Sequence, residues 1–328
     1  MAARPRHAIA VSALALAIGA LAAPSAQALK PGELLEASPP GQIMAVSANL
    51  KASFNNRYIR DSGPRMRTFV SRLLTQIHER GGLWRPDVLL LQEALNRQLA
   101  PGRGPGDDLS AARVASELTN LTGDEYAIVV DPGKRQRPSK GVSKETAIVA
   151  NVETMNWPAA GGYVISNAFK GKREFRYTGP NRPTRPPSRR QAWALIAERD
   201  PQGAIFPVAS VHVRTDKRLG CSKGARCQRR VNSLKERWSR QVSDRLDAWS
   251  GDHFERAVIG GDFNATRKDG FYGALADLGY RKAIRGRIDH IFTRGAIGPA
   301  GIDDSRHSGR GAYPLGYSDH RFLWAAVG

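Results

Sequence analysis

Cysteine is nearly missing: 328 residues hold two, Cys221 and Cys227, with five residues between them. Paired zinc ligands do not use that spacing, so a structural zinc module is excluded. In an exported chain the same pair suits a local disulfide that pins a loop. Aromatic residues make up only 7% of the chain, and no run of tryptophan and phenylalanine is suited to inserting into a bilayer interface. Acidic side chains are scarce too, 30 against 50 lysines and arginines. After the first 23 residues no long apolar run recurs, so stable membrane insertion is not expected. Nothing points to a repeat array, because no segment of the chain resembles another and no long low-complexity tract occurs.

What is present begins with Arg4 and Arg6, an unbroken small-apolar run over residues 8–23, and then Ala26-Gln27-Ala28, the small-x-small pattern that signal peptidase reads. The run is shorter than the roughly 20 residues that span a bilayer. A signal peptide over residues 1–28 and a secreted mature protein are therefore expected. The remainder, residues 29–328, lies at the upper end of what one domain holds, and 41% hydrophobic content is enough to bury its core. Without the two leader arginines, 48 basic side chains face 30 acidic ones, a surplus of 18. Such a surplus favours polyanionic partners through counterion release and steering, although arginine- and alanine-rich composition also arises from codon bias.

Short apolar runs of strand type alternate with helical spacing. Strands are predicted over residues 42–48, 88–91, 126–130, 146–150, 192–197, 205–211, 257–259, 288–292 and 322–327. Helices are predicted over 66–79, 109–121 and 228–249, the last long and charged on its outer face. This alternation means an α/β protein. Residues 134–140 and 170–190 are dense in Lys, Arg, Pro and Gly and read as exposed basic loops.

Polar, metal-capable residues recur where the apolar runs stop. Asn49 follows residues 43–48, Glu93 follows 88–92, His212 follows 207–211 and Asp262 follows 258–261. Strand ends of α/β sheets are where sites form, because loops converge there on a rigid frame. Near the C-terminus Ser318-Asp319-His320 precedes the final strand, and Asp289 opens another. Two acids, two histidines and an asparagine-containing turn offer a hard-metal site beside an acid-oriented imidazole. His290, His253 and His307, and the tryptophans 193, 238 and 249, read as packing or loop residues.

The ordered set Asn49, Gln92-Glu93, His212, Gly261-Asp262-Phe263-Asn264, Asp289 and Ser318-Asp319-His320 resembles the endonuclease/exonuclease/phosphatase superfamily over nearly all of the mature chain. The resemblance implies a four-layered α/β/β/α sandwich with two mixed β-sheets packed face to face. It also implies Mg²⁺ as cofactor, with Mn²⁺ or Ca²⁺ as substitutes, held principally by Glu93 with Asn49 and Asp319. His320, oriented by Asp289, would orient or deprotonate the attacking water. Asp262 and Asn264 would position the nucleophile and the phosphate, and His212 would bond a phosphoryl oxygen or assist the leaving group. Glu145 resembles the glutamate that orients the first catalytic histidine, and reads equally well as a strand-edge charge. Arg189 or Arg190 would clamp the phosphate, and the sequence does not choose between them.

These expectations describe a metal-dependent hydrolase of phosphate esters, monomeric, with nucleic acid as substrate: DNA first, RNA second. Two other readings compete with it. One is a sphingomyelinase-like or other lipid or small-molecule phosphodiesterase or phosphatase, against which the low aromatic content speaks. The other is a basic binding module with a decayed site, which the chemically competent residue at every motif position disfavours.

Overall fold

The computed structural model of the chain describes residues 31–50, 62–96, 110–130, 143–164, 190–199, 203–213, 225–250, 255–265, 270–303 and 320–328. The leader, Cys221, the basic segments up to residue 189, His253, His307 and Asp319 lie outside them, as do the side chains of Glu145, Arg190, Cys227 and Trp249. The expected disulfide and leader therefore fall outside the described residues.

Strands β1 (Ile43–Asn49), β8 (Ala257–Asp262) and β12 (Leu323–Val327) are buried at every position, and β7 (Ile205–His212) at all but its first. A strand covered on both faces needs continuous apolar sequence, which is why these runs were legible as strands. Their side chains alternate between two destinations. Ile43 and Ala45 point into a middle layer with Leu90, Ile148, Ala194, Ile196, Phe206, Val258 and Ile291. Met44, Val46 and Ala48 point outward, onto α1 (Ser62–Glu79) and α2 (Ser110–Thr122). Helix α1 answers with Met66, Phe69, Val70, Leu73, Leu74 and Ile77, the spacing of one helical face. On the far side, Val231, Trp238, Val242 and Leu246 of α3 (Ala225–Ser250) and Phe271 and Leu275 of α4 (Phe271–Asp277) pack on Ala209, Val211, Ile259 and Phe292.

The layers are thus helices, sheet, sheet, helices, the sandwich that the sequence led us to expect. The first sheet also holds β2 (Val88–Asn96), β3 (Tyr126–Val130), β4 (Ser143–Asn151) and β11 (Ile297–Ile302), in the order β11-β12-β1-β2-β4-β3. The second holds β5 (Met155–Val164), β6 (Arg190–Glu198), β9 (Arg281–Arg285) and β10 (Asp289–Arg294), in the order β5-β6-β7-β8-β10-β9. In each sheet one central pair is parallel, β1 with β2 and β7 with β8, and every other pair is antiparallel.

Three strands and one helix were not legible in the sequence. β5, β9 and β11 are all sheet edges, where pairing on one side tolerates residues that a central strand refuses. β5 contains Pro158 and Gly161-Gly162 and shifts register between Asn156 and Ala159. β9 reads Arg-Lys-Ala-Ile-Arg and is largely exposed. The seven residues of α4 are too few for a periodic signal.

At the end where β2 begins, Asp87 is 1% exposed. Its carboxyl accepts from the Met44 amide at 2.7 Å, from Thr154 Oγ1 at 2.8 Å and from Ser38 Oγ. Burial outweighs these bonds, and the Glu198 charge adds to it, pushing the carboxyl from 3.8 up to about 6. A folded pKa raised above the unfolded one gives stability that is present below about 3.8 and lost as pH rises through about 6. The loss amounts to about 3 kcal/mol at most. Asp87→Asn should accordingly flatten the pH dependence of urea unfolding between pH 4 and 7. An unaltered slope over that window would show that Asp87 is not its source.

Candidate active site

The parallel pairs decide where chemistry can sit. β1, β2, β7 and β8 all finish at one end of the sandwich, β10 starts there, and His320 stands just ahead of β12 at the same end. Register completes the alignment: Asn49 lies opposite Gln92 in the first sheet, and His212, Asp262 and Asp289 lie side by side across three strands of the second. Every described motif residue is therefore delivered to one place.

The glycines before Asp262 are needed for close packing, Gly260 against the opposite sheet and Gly261 against the neighbouring strand β7. A Cβ on Gly260 would lie 2.7 Å from Leu90 Cδ1 and 3.3 Å from Ser47 Cβ, and one on Gly261 would run into the Val211 carbonyl. Beneath the site a buried polar bridge joins the sheets: Gln92 Nε2 donates to Ser210 Oγ at 3.1 Å, and Ser210 Oγ donates to the Leu91 carbonyl at 2.8 Å.

Glu93 owes its direction to a β-bulge. β2 advances three residues from Leu91 to Ala94 while β4 advances two, from Ala147 to Glu145, and Glu93 takes φ 48°. Ala94 consequently packs with Leu89 and Leu91 on the helix side, the place strict alternation would give to Glu93. Left-handed backbone at a non-glycine residue costs about 1–3 kcal/mol. The side chain is released towards the second sheet, where Oε1 stands 3.8 Å from His212 Nε2.

Asp262 is the hub. Its Oδ2 accepts from Asn49 Nδ2 at 3.0 Å and lies 3.4 Å from His212 Nε2 and 4.0 Å from His320 Nε2. Its Oδ1 accepts from the Asn264 amide at 2.8 Å, which shapes a turn in which Asn264 has φ 46° and donates through Nδ2 to the Val213 carbonyl at 2.7 Å. His320 Nδ1 lies 3.0 Å from both oxygens of Asp289. A carboxylate only accepts, so Nδ1 carries the hydrogen and Nε2, facing Asp262, is the basic atom. The expected Asp289–His320 pairing is thus present in the geometry.

Among the described residues Asp262, Asp289 and His320 form a compact group, their ligand atoms all within 4.8 Å of one another. Glu93, Asn49, Asp262 and Asp289 offer oxygen donors without a thiolate, the chemistry that hard divalent cations such as Mg²⁺ take. The residues therefore fit a divalent metal, which Glu93 and Asn49 would hold with the Asp262 group beside them. Asp319 and Arg189 lie outside the described residues. Arg190 opens β6 and Glu145 sits in β4 opposite Ala94, both at this same end, while their side chains are not among the described ones.

Two supporting residues were not singled out from the sequence. Gln191, 1% exposed, accepts from the His212 amide through Oε1 at 2.7 Å and donates to the His212 carbonyl through Nε2 at 3.4 Å, fixing that histidine's backbone. His290, read as packing, is fully buried among Phe263, Phe271, Tyr272 and Phe292. Its ring also bonds: Nε2 donates to the Ala265 carbonyl at 2.9 Å and Nδ1 accepts from Tyr272 OH at 2.9 Å. Burial lowers its pKa to about 4, so the ring is neutral at ordinary pH.

Comparisons with known proteins bear on the fold and the family. No curated protein matches the sequence significantly. Among solved structures, an endonuclease/exonuclease/phosphatase family protein from Bacteroides thetaiotaomicron superposes with TM-score 0.53 at 16% identity, covering 88% of this chain and 98% of the other. A mannosyl-6-phosphatase from the same species gives 0.51 at 17%, covering 87% and 99%. The human Nocturnin catalytic domain gives 0.51 at 13%, covering 88% and 93%. A sequence model of the endonuclease/exonuclease/phosphatase family matches residues 46–320, and the chain belongs to that family of metal-dependent phosphoester hydrolases.

Proposed function

We propose that the chain is an exported phosphodiesterase that cleaves the backbone of nucleic acids, DNA first and RNA second. The convergence of Asn49, His212 and His320 nitrogens on one oxygen of Asp262 carries this reading. Two imidazoles, one ending β7 and one ahead of β12, then flank one point, as hydrolysis needs: one proton leaves the attacking water and one must reach the departing oxygen. Asp289 keeps a hydrogen on His320 Nδ1, so His320 Nε2 takes the water's proton as its oxygen bonds to phosphorus. His212 stabilises a phosphoryl oxygen or gives a proton to the oxygen whose bond to phosphorus breaks. Asp262 and Asn264 hold the water and the phosphate in line, with entropy already spent in the folded turn. A bound Mg²⁺ would supply Lewis acidity against the charge growing on the phosphate.

Charge and chain path favour a polyanion over a lipid headgroup. Residues 131–142 join β3 to β4, and 165–189 join β5 to β6. Both connections enter their strands at the catalytic end: Ser143 pairs with Asn96 beyond Glu93, and Gln191 grips His212. Residues 170–190 carry eight basic side chains against one acidic, Glu174. The deciding assay incubates purified protein with plasmid DNA, RNA, sphingomyelin and a chromogenic phosphodiester, with and without EDTA. DNA cleavage abolished by EDTA is expected. Hydrolysis of sphingomyelin alone would overturn the nuclease reading, and turnover of no substrate would overturn the hydrolytic one.

Replacing Lys170, Lys172, Arg173 and Arg176 by serine should lower DNA affinity for all sequences and flatten its dependence on monovalent salt, since each neutralised phosphate adds about 0.9 to the log–log slope. Turnover of the small phosphodiester should barely change, because positioning charges are separate from chemical groups. Unaltered affinity and slope would leave that charge a solubility feature.

A further inference from the structure

The turn carrying Asp262 and Asn264 is gripped from behind by a residue that the chemistry above does not use. Lys235 of α3 is 2% exposed, and its Nζ donates to the Asn264 carbonyl at 3.0 Å. Its place in the helix is the apolar stripe: Val231, Leu234, Trp238 and Val242 are buried around it. It lines a small cavity with Ile259, Phe263 and Phe271 directly under the turn. Burying an amine there is costly, and an aliphatic side chain would fill the same stripe without that cost. What the amine adds is a donor aimed at the peptide of a residue whose left-handed backbone, φ 46°, persists only if its surroundings over-determine it. The next carbonyl, Ala265, is held by His290, so two successive peptides of the turn are fixed from the second sheet's helix side.

We propose that Lys235 is a positioning residue for phosphoester hydrolysis: by holding the Asn264 carbonyl it sets where Asp262 and Asn264 stand against His212 and His320. This rests on the reading of that turn as part of the hydrolytic site. A purely structural lysine would tie α3 to β8 and affect folding alone. A positioning lysine acts through Asn264, and partners of this kind typically contribute about 10- to 100-fold in activity.

The test measures kcat and KM for bis(4-nitrophenyl) phosphate at saturating Mg²⁺, together with Tm, in the parent, Lys235→Met, Asn264→Ala, their double variant and Glu93→Gln. Hydrogen–deuterium exchange over residues 258–265 is followed in the same set. Lys235→Met should lower kcat by about 10- to 100-fold with KM within threefold. Exchange at Phe263, Asn264 and Ala265 should speed up while Val258 and Ile259 stay protected. In the Asn264→Ala background the same substitution should cost less than threefold, because its target is gone. If that background is too slow to read, the exchange pattern decides. Should Lys235→Met fail to fold, Lys235→Gln, which withdraws the donor by one bond, is read the same way. A kcat within twofold of the parent, or unaltered exchange at the turn, overturns the proposal. Parental rates in both Asn264→Ala and Glu93→Gln would instead overturn the site reading itself, whereas inactive controls beside an active Lys235→Met would sink the lysine's role alone.

Discussion

Glu93→Gln is expected to lose about 10²- to 10³-fold in kcat, the equivalent of the several kcal/mol that a metal's charge supplies to a phosphoryl transition state. The substitution keeps the shape of the side chain and removes its charge. The bulge that aims it is built from backbone pairing between β2 and β4, with Glu93 at φ 48°, so the fold should survive. Circular dichroism and Tm close to the parent, together with the lost rate and a weakened response to added Mg²⁺, would agree with a ligand role. A purified variant that turned over substrate at the parental rate would remove Glu93 from the site. Glu93 stands 3.8 Å from His212 Nε2, so this variant also perturbs that histidine. Mn²⁺ titration separates the two effects: a lost ligand shifts the metal midpoint, and a perturbed imidazole shifts the pH profile.

His320→Ala should be the other severe loss, about 10²- to 10⁴-fold, the usual contribution of an oriented general base. Asp289→Asn should follow it closely. An amide facing His320 Nδ1 can offer hydrogens where the carboxylate only accepts, which favours the tautomer with its hydrogen on the wrong nitrogen. Because Nδ1 lies 3.0 Å from both carboxylate oxygens, the two residues should behave as one unit. The double variant is then expected to be no worse than the poorer single one. Losses that multiply would show that they act independently.

Much of this arrangement could be read from residues alone, for reasons that differ by element. β1, β2, β7 and β8 are central strands covered on both faces, so their apolar runs stand out, and the polar residue that ends each run marks the site. The bulge at Glu93 leaves no such trace. Its sequence, Leu91-Gln92-Glu93-Ala94, sets two polar residues side by side, which the end of a strand does as readily as a bulge, and only the register against β4 reveals the extra residue. Asp262 illustrates a second limit. Its position at a strand end was legible, but that one of its oxygens is approached from β1, β7 and the His320 segment depends on how two sheets stack. Lys235 was hidden by its chemistry: a lysine in a charged helix reads as solvent-facing. The spacing 231, 234, 235, 238, 242 nevertheless puts it on the buried stripe, a signal available to anyone who follows period rather than polarity. His290 was assigned to packing, which is right for its cage and incomplete for its bonds to Ala265 and Tyr272.

The two strand orders carry a consequence for how the catalyst is assembled. Read from β11 and from β9, both sheets follow the same scheme, two antiparallel pairings, one parallel, two antiparallel. Each contributes one half of the reactive end: Asn49, Glu93 and His320 come with one plate, His212, Asp262 and Asp289 with the other. Among the contacts that cross between the halves are the Asn49–Asp262 bond, the pairing of His320 with Asp289, the approach of Glu93 to His212 and the Gln92–Ser210 bridge beneath them. The candidate site is a seam between two plates, aligned by the apolar layer between them. A slip of one plate along the other would separate His320 from Asp289 without breaking a strand, so Ile43, Leu90, Phe206 and Val258, in the layer between the sheets, act as the bearings on which the distances at this end are set.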